Sequence, residues 1–278
     1  MTDFFVSSEW LKSNLQRNDM VIVDCRFDLA DAERGKIEYS RSHIPGAVYA
    51  HLDNDLSAPR PPSGAGGRHP LPDLNCFQEK MGRLGIDNST MVVAYDDQGG
   101  AMASRLWWLL TYTGHKRACV LSEPFSKWLK KEYPVESGII EPQQTAVYHA
   151  EPDPTMTASM EEVKQNLYSG EAILIDSRAP ERFAGVHEPI DHTAGHIPTA
   201  VNDNWQNRLD ESGNWKSEAE LRKDLSPYEG KEAIVYCGSG VTACANVLAF
   251  KAAGKEVRLY PGSWSEWITR PDNPVNKG

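Results

Sequence analysis

The 278-residue sequence lacks the features that define several protein classes. No apolar run approaches the roughly 18 residues of a membrane-spanning helix. Its 29 basic residues are outnumbered by 39 acidic ones, and no basic patch of the kind that binds nucleic acid is evident. Its five cysteines include no C-x-x-C pair, which argues against a disulfide framework or a zinc site. With an acidic rather than basic amino terminus, these features predict a cytoplasmic protein without membrane or nucleic-acid partners.

Cys237 stands out among the cysteines because of its local context. It follows the apolar run 233–236 and opens the small-residue loop Cys237-Gly-Ser-Gly-Val-Thr242, after which a helical pattern begins. A thiol between a strand and the amino end of a helix lies where backbone amides and the helix dipole stabilise an anion. We therefore interpret Cys237 as a nucleophile, the alternative being a buried structural cysteine.

An internal repeat relates the two halves of the chain. The sequence His43-Ile-Pro-Gly-Ala-Val48 recurs as His196-Ile-Pro-Thr-Ala-Val201, at a similar distance from a preceding apolar run in each half. The run 91–95 followed by Asp96 parallels the run 233–236 followed by Cys237. The first half therefore has an aspartate in place of the thiol, and covalent chemistry is expected only in the second half.

The order of the apolar runs predicts the fold. Short buried runs at 21–23, 91–94, 118–121, 173–175, 233–236 and 257–259 alternate with helical patterns, which is typical of parallel sheets with helices on both faces. The length and a Pro-rich, weakly periodic stretch near the middle indicate two domains. We predict a non-catalytic domain at 1–138, a linker at 139–154 and a catalytic domain at 155–278, each an α/β unit.

These motifs together resemble the tandem rhodanese-fold sulfurtransferases, and among them the mercaptopyruvate sulfurtransferases. The resemblance rests on the repeated His-Ile-Pro sequences, the loop that starts at Cys237 and the late sequence Gly262-Ser-Trp-Ser-Glu-Trp267. It implies that the Cys237 thiolate takes a sulfur atom from 3-mercaptopyruvate, becomes a persulfide and releases pyruvate. A thiol, a thioredoxin-like protein or cyanide then accepts the sulfur. The persulfide carries the transferred group, so no metal or organic cofactor is implied.

The resemblance also assigns roles to individual residues. Ser239 matches a loop serine that moves the donor's proton together with a histidine and an aspartate, which correspond to His69 and Asp53. Arg182 matches an arginine that binds the donor's carboxylate, a contact suited to a guanidinium. The donor-binding loop further comprises four residues, Gly238, Gly240, Val241 and Thr242.

One position departs from the mercaptopyruvate pattern. The resemblance implies a second donor-binding arginine nine residues after Arg182, but that position is Asp191. His187, His192 or Arg68 could supply the missing positive charge. Because rhodaneses also lack this arginine, thiosulfate is the alternative donor.

Two further functions remain as alternatives. A cysteine phosphatase of the related fold needs an arginine six positions after the nucleophile, and Ala243 occupies that position. A non-catalytic rhodanese-type binding module would lack the nucleophile in both halves, whereas Cys237 is present.

Overall fold

The computed structural model describes residues 4–140 and 145–278, which form two compact units. The first comprises the chain as far as Ala58 with Pro72–Asp153 and Leu209–Trp215, and the second comprises Pro59–Leu71, Pro154–Arg208 and Lys216–Gly278. The predicted boundaries at 138 and 155 stay a prediction. Part of the predicted linker, residues 141–144, lies outside the described residues.

The first unit contains a five-stranded parallel sheet, β1 (Phe5–Val6), β2 (Met20–Asp24), β3 (Val48–Tyr49), β4 (Met91–Tyr95) and β5 (Ala118–Leu121). The strand order is β1-β5-β4-β2-β3. Its helices are α1 (Ser8–Ser13), α2 (Arg34–Arg41), α3 (Leu52–Asp55), α4 (Leu74–Arg83), α5 (Ala103–Tyr112) and α6 (Phe125–Lys130).

The second unit contains a four-stranded parallel sheet, β6 (Ala172–Asp176), β7 (Val201–Asn202), β8 (Glu232–Tyr236) and β9 (Arg258–Leu259), in the order β7-β6-β8-β9. Its helices are α7 (Met160–Ser169), α8 (Pro180–Phe183), α9 (Glu218–Asp224), α10 (Ala243–Ala252) and α11 (Ser263–Trp267). Short 3-10 turns cover Pro154–Met156, Trp205–Arg208 and Ser226–Tyr228. The predicted fold class, parallel sheets flanked by helices, is confirmed.

Local sequence explains why these elements form. The central strands are apolar and buried at nearly every position, as expected for sheets covered on both faces. At the start of α7, Ser159 and Glu162 form a reciprocal capping box, and Gly170 ends the helix in the left-handed conformation.

The repeat extends to individual hydrogen bonds. The Tyr95 hydroxyl accepts from the Ile44 amide at 3.2 Å, and the Tyr236 hydroxyl accepts from the Ile197 amide at 3.2 Å. Buried aspartate–arginine pairs lie at the carboxyl ends of β2 and β6, Asp24 with Arg26 and Asp176 with Arg178. The two units therefore have equivalent hydrogen bonds and ion pairs at corresponding positions. Among the described residues, no helix is both long and apolar enough to cross a membrane.

Candidate active site

Cys237 is the first residue after β8 and is 1% exposed. Its amide donates to Ser263 Oγ at 3.1 Å, and its carbonyl accepts from the Trp264 amide at 3.0 Å. The loop from Cys237 to Thr242 leads directly into α10. The thiol thus lies between the carboxyl end of a parallel strand and a helix amino terminus, where an anion is favoured.

Two glycines allow this loop to pack closely. Gly240 has φ +74°, and a Cβ atom there would lie 2.1 Å from the Pro261 carbonyl oxygen. At Gly238 the close neighbours are side chains: a Cβ atom there would lie 2.9 Å from Arg68 Nη2 and 3.4 Å from Arg182 Nη1. The absence of a side chain at 238 therefore lets two guanidinium groups approach the backbone next to Cys237.

The equivalent loop of the first unit shows what such a turn can hold. The Asp96 carboxylate accepts hydrogen bonds from the amides of Gln98, Gly100, Met102 and Ala103 at 2.7–2.9 Å. Burial raises the pKa of Asp96, while these four donors favour its ionised form. A carboxylate thus fills the turn that follows the equivalent strand.

The structure brings His69 and Ser239 together. The Nδ1 atom of the buried His69 lies 2.8 Å from Ser239 Oγ, two residues after Cys237. His69 belongs to the segment Pro59–Leu71, which packs within the second unit. A histidine in contact with a hydroxyl beside the nucleophile can move a proton to or from a bound molecule.

Arg182 lies in α8 and contacts two acidic side chains. Its Nη2 atom lies 2.8 Å from Glu188 Oε1 and 3.1 Å from Asp191 Oδ2. Burial raises the pKa of Glu188, but hydrogen bonds from Arg182 and from the amides of Asp191 and Ile190 outweigh burial and lower it. Glu188 is therefore a carboxylate that fixes Arg182 beside the loop.

The position where a second donor-binding arginine was expected carries an acid that binds both arginines. Asp191 forms an ion pair with Arg68 as well as with Arg182. Of the three residues proposed as a source of positive charge, Arg68 lies beside Gly238. His187 and His192 are exposed, and His192 Nδ1 lies 2.9 Å from Thr193 Oγ1.

The remaining predicted residues are placed as follows. Val241 is buried, and Thr242 immediately precedes α10. Asp53 belongs to α3 of the first unit, where its amide donates to His51 Nδ1 at 3.1 Å. The catalytic role of Asp53 stays a prediction.

Helix α11 supplies contacts that the sequence reading missed. The Ser265 amide donates to the Gly238 carbonyl at 2.9 Å, and Ser265 Oγ accepts from the Arg68 amide at 3.0 Å. Glu266 accepts from the Gly66 amide at 2.7 Å. The signal was present as Gly262-Ser-Trp-Ser-Glu-Trp267, which was recognised as a motif but assigned no task.

A family model described as the rhodanese-like domain matches residues 7–131 and again 159–270. The chain belongs to the rhodanese-like family. The two matches explain the repeat of packing contacts, and they place the Cys237 loop within the second rhodanese-like domain.

Full-length relatives carry sulfurtransferase names. A Pseudomonas aeruginosa protein named "Probable 3-mercaptopyruvate sulfurtransferase" is 37% identical over 279 residues, covering 98% of each chain. The rat protein named "Thiosulfate sulfurtransferase" is 34% identical over 290 residues, covering 98% of this chain and 95% of its own. The solved 3-mercaptopyruvate sulfurtransferase from Leishmania major matches with a TM-score of 0.83 and 30% identity, covering 98% of this chain and 76% of its own. The predicted family and sulfurtransferase class are confirmed.

Proposed function

We propose that this sulfurtransferase moves a sulfane sulfur atom from 3-mercaptopyruvate to a thiol or cyanide through a persulfide on Cys237. The observation that carries the choice of donor is the 2.8 Å contact between His69 Nδ1 and Ser239 Oγ. Mercaptopyruvate must lose its thiol proton, and the departing enolate must gain one, whereas thiosulfate needs neither transfer. A proton-transfer pair beside the nucleophile therefore favours the mercaptan.

The reaction divides into two displacements. The Cys237 thiolate attacks the donor's sulfur, and the carbon–sulfur bond breaks with its electron pair going to the pyruvate enolate. The sulfur loses its proton and the enolate carbon gains one, so pyruvate leaves and the persulfide remains. The acceptor then attacks the outer sulfur and regenerates the thiolate.

The residues in and around the loop have separate roles in proton transfer, donor binding and stabilisation of the anion. Ser239 and His69 move the proton, with Asp53 as the third member suggested by the resemblance. Arg182 binds the donor's carboxylate, and Gly238, Gly240, Val241 and Thr242 form the surface on which the donor lies. The helix amino terminus stabilises the thiolate and the persulfide.

Three finer assignments accompany this proposal. The proposed acceptor is a thiol, a thioredoxin-like protein or cyanide, each of which is a nucleophile that can cleave the persulfide. The cytoplasmic location rests on cysteine usage and stays a prediction. The domain boundaries, with a linker at 139–154, likewise stay a prediction.

The test is steady-state sulfur transfer to cyanide or a thiol, measured with 3-mercaptopyruvate and thiosulfate on one preparation. We expect a higher kcat/KM for mercaptopyruvate and a loss of about 10⁴-fold or more in Cys237→Ser, with its unfolding midpoint preserved. Turnover retained by Cys237→Ser would refute the persulfide mechanism. A preference for thiosulfate would establish the alternative donor, and transfer from neither would leave a binding module.

Ser239→Ala sharpens the donor assignment in the same assay. We expect kcat/KM to fall about 100-fold for mercaptopyruvate and less than about fivefold for thiosulfate, since only the mercaptan needs proton transfer. Ser226→Ala, at an exposed serine of the same unit, is the control. Equal losses with both donors would count against the proton-transfer role.

A further inference from the structure

The charges around Arg182 pose a problem for binding an anionic donor. Arg182 is paired with both Glu188 and Asp191. Glu188 also contacts Arg178, whose own partner is Asp176. The three carboxylates therefore outnumber these two guanidinium groups. An anion approaching Arg182 alone would meet net negative charge. The site therefore needs a second cation close to the loop.

Arg68 is held where that cation is needed. Its guanidinium pairs with Asp191, and Nη2 would lie 2.9 Å from a Cβ atom at Gly238. Its backbone is fixed by Ser265, whose Oγ accepts from the Arg68 amide at 3.0 Å. The Ser265 amide also binds the Gly238 carbonyl at 2.9 Å, so one residue of α11 positions both Arg68 and the catalytic loop.

In this cluster the arginine side chains are more exposed to solvent than the acidic side chains. The side chains of Arg68 and Arg182 are 18% and 17% exposed, whereas those of Asp191 and Glu188 are 5% and 2% exposed. The two arginine side chains thus remain partly accessible to a small molecule, whereas the carboxylates are nearly buried. Two adjacent guanidinium groups suit a planar carboxylate.

We propose that Arg68 is the second donor-binding cation of this enzyme and that Asp191 is the positioning residue that holds it beside Arg182. This inference rests on the proposed function, because it concerns the same donor site. The resemblance to mercaptopyruvate sulfurtransferases implies a positive charge nine residues after Arg182, at the position of Asp191. Here Arg68, which lies 123 residues before Asp191, supplies that charge.

Arg68→Gln tests the contact with the donor. We expect KM for 3-mercaptopyruvate to rise about 30-fold while kcat changes less than about threefold, because an interaction with the donor's carboxylate persists from the bound donor to the transition state. Arg68→Lys keeps the charge but not the planar guanidinium, and should recover part of this loss. Arg60→Gln, at an exposed arginine of the same segment, should leave both constants unchanged. An unchanged KM in Arg68→Gln, or an equal loss in Arg68→Lys, would overturn the proposal.

A double variant distinguishes donor binding from simple neutralisation of Asp191. In Arg68→Gln/Asp191→Asn the pair becomes neutral and no unpaired buried carboxylate remains to disturb folding. If Arg68 contacts the donor, KM stays raised in the double variant. A return to the wild-type KM would mean that Arg68 only neutralises Asp191, and the proposal would fail.

Direct binding separates this inference from the proposed function. Pyruvate, which carries the donor's carboxylate, is titrated by calorimetry into Cys237→Ser with and without Arg68→Gln. We expect Kd to rise about 30-fold with Arg68→Gln, and an equal Kd would overturn the role of Arg68. If the wild type transfers sulfur through Cys237 but Kd is equal, only this inference fails. If the wild type transfers no sulfur from either donor, the proposed function fails.

Discussion

Gly238 and Gly240 are two residues apart in the catalytic loop, yet a methyl group would meet different obstacles at each. At 240 the obstacle is backbone, the Pro261 carbonyl at 2.1 Å, and φ is +74°. At 238 the obstacles are the guanidinium ends of the Arg68 and Arg182 side chains. A glycine at 240 is therefore needed for the fold of the loop, whereas a glycine at 238 is needed for the two arginines to approach the loop.

We expect Gly240→Ala to lower the free energy of unfolding by about 2–4 kcal/mol, because it adds both backbone strain and a clash. Gly238→Ala should change it by less than about 1 kcal/mol but raise KM for the donor several-fold, since the arginines must shift. Denaturant unfolding and steady-state kinetics on both variants check this contrast. Similar stability losses at the two positions would contradict it.

At the residue scale, local sequence alone predicted the nucleophile but not the distant residues that contact its loop. Cys237 could be found because a strand, a small-residue loop and a helical pattern lie next to it in sequence. The ion pair of Arg68 with Asp191 spans 123 residues, and the contact of His69 with Ser239 spans 170. No local periodicity reports such distant contacts, so His69 depended on the resemblance and Arg68 remained one of three choices.

At the scale of elements, the loop after β4 is the counterpart of the catalytic loop. In this loop the bound anion is a side chain, the carboxylate of Asp96. The Asp96 carboxylate accepts hydrogen bonds from four backbone amides of this loop and the start of α5. The sequence identified the lost thiol in this position. It did not reveal that the replacement carboxylate organises the turn.

Asp96→Ala should therefore destabilise the first unit by about 3 kcal/mol, because buried amides lose their acceptor. Asp97→Ala is the matched control: this neighbour is exposed and accepts a hydrogen bond from the Ser126 amide, so a loss below about 1 kcal/mol is expected. Thermal unfolding of both variants provides the measurement. Equal midpoints for Asp96→Ala and the wild type would show that the turn does not depend on this carboxylate.

The strands that the sequence reading missed share one property. β1, β3 and β7 are two residues long, too short for an apolar run to be distinguished from a loop. β9 is equally short, but it lies within the predicted run 257–259. Helix α11 has five residues and was likewise not predicted as a helix, although its motif was noticed. Long buried strands such as β4 and β8 were found because hydrophobic burial alone specifies them.

At the scale of the whole molecule, the internal repeat carried most of the prediction. Once two copies of one pattern were recognised, the fold of each half and the single nucleophile followed. Segment membership did not follow, because Pro59–Leu71 packs with the second unit and Leu209–Trp215 with the first. These short segments carry no compositional mark of the unit to which they belong.

The acid stability of the protein gives a prediction at this scale that involves Glu188. Its pKa lies below the ordinary value of 4.5, since hydrogen bonds from Arg182 and two backbone amides outweigh burial. A lowered pKa in the folded state means that Glu188 contributes its full stability above about pH 4.5 and loses it as pH falls through the folded-state pKa. Glu188→Gln removes this contribution but keeps the size of the side chain.

We therefore expect Glu188→Gln to lower the free energy of unfolding by about 1.5–3 kcal/mol at pH 7, the usual range for hydrogen bonds to a charged group. The difference from the wild type should shrink as pH falls from about 4.5 through the folded-state pKa and vanish below it, because the wild-type carboxyl is then protonated as well. Denaturant midpoints measured for both proteins from pH 7 down to pH 3 check this convergence. A difference that stays constant over that range would mean that the shape of Glu188, rather than its charge, holds Arg182 in place.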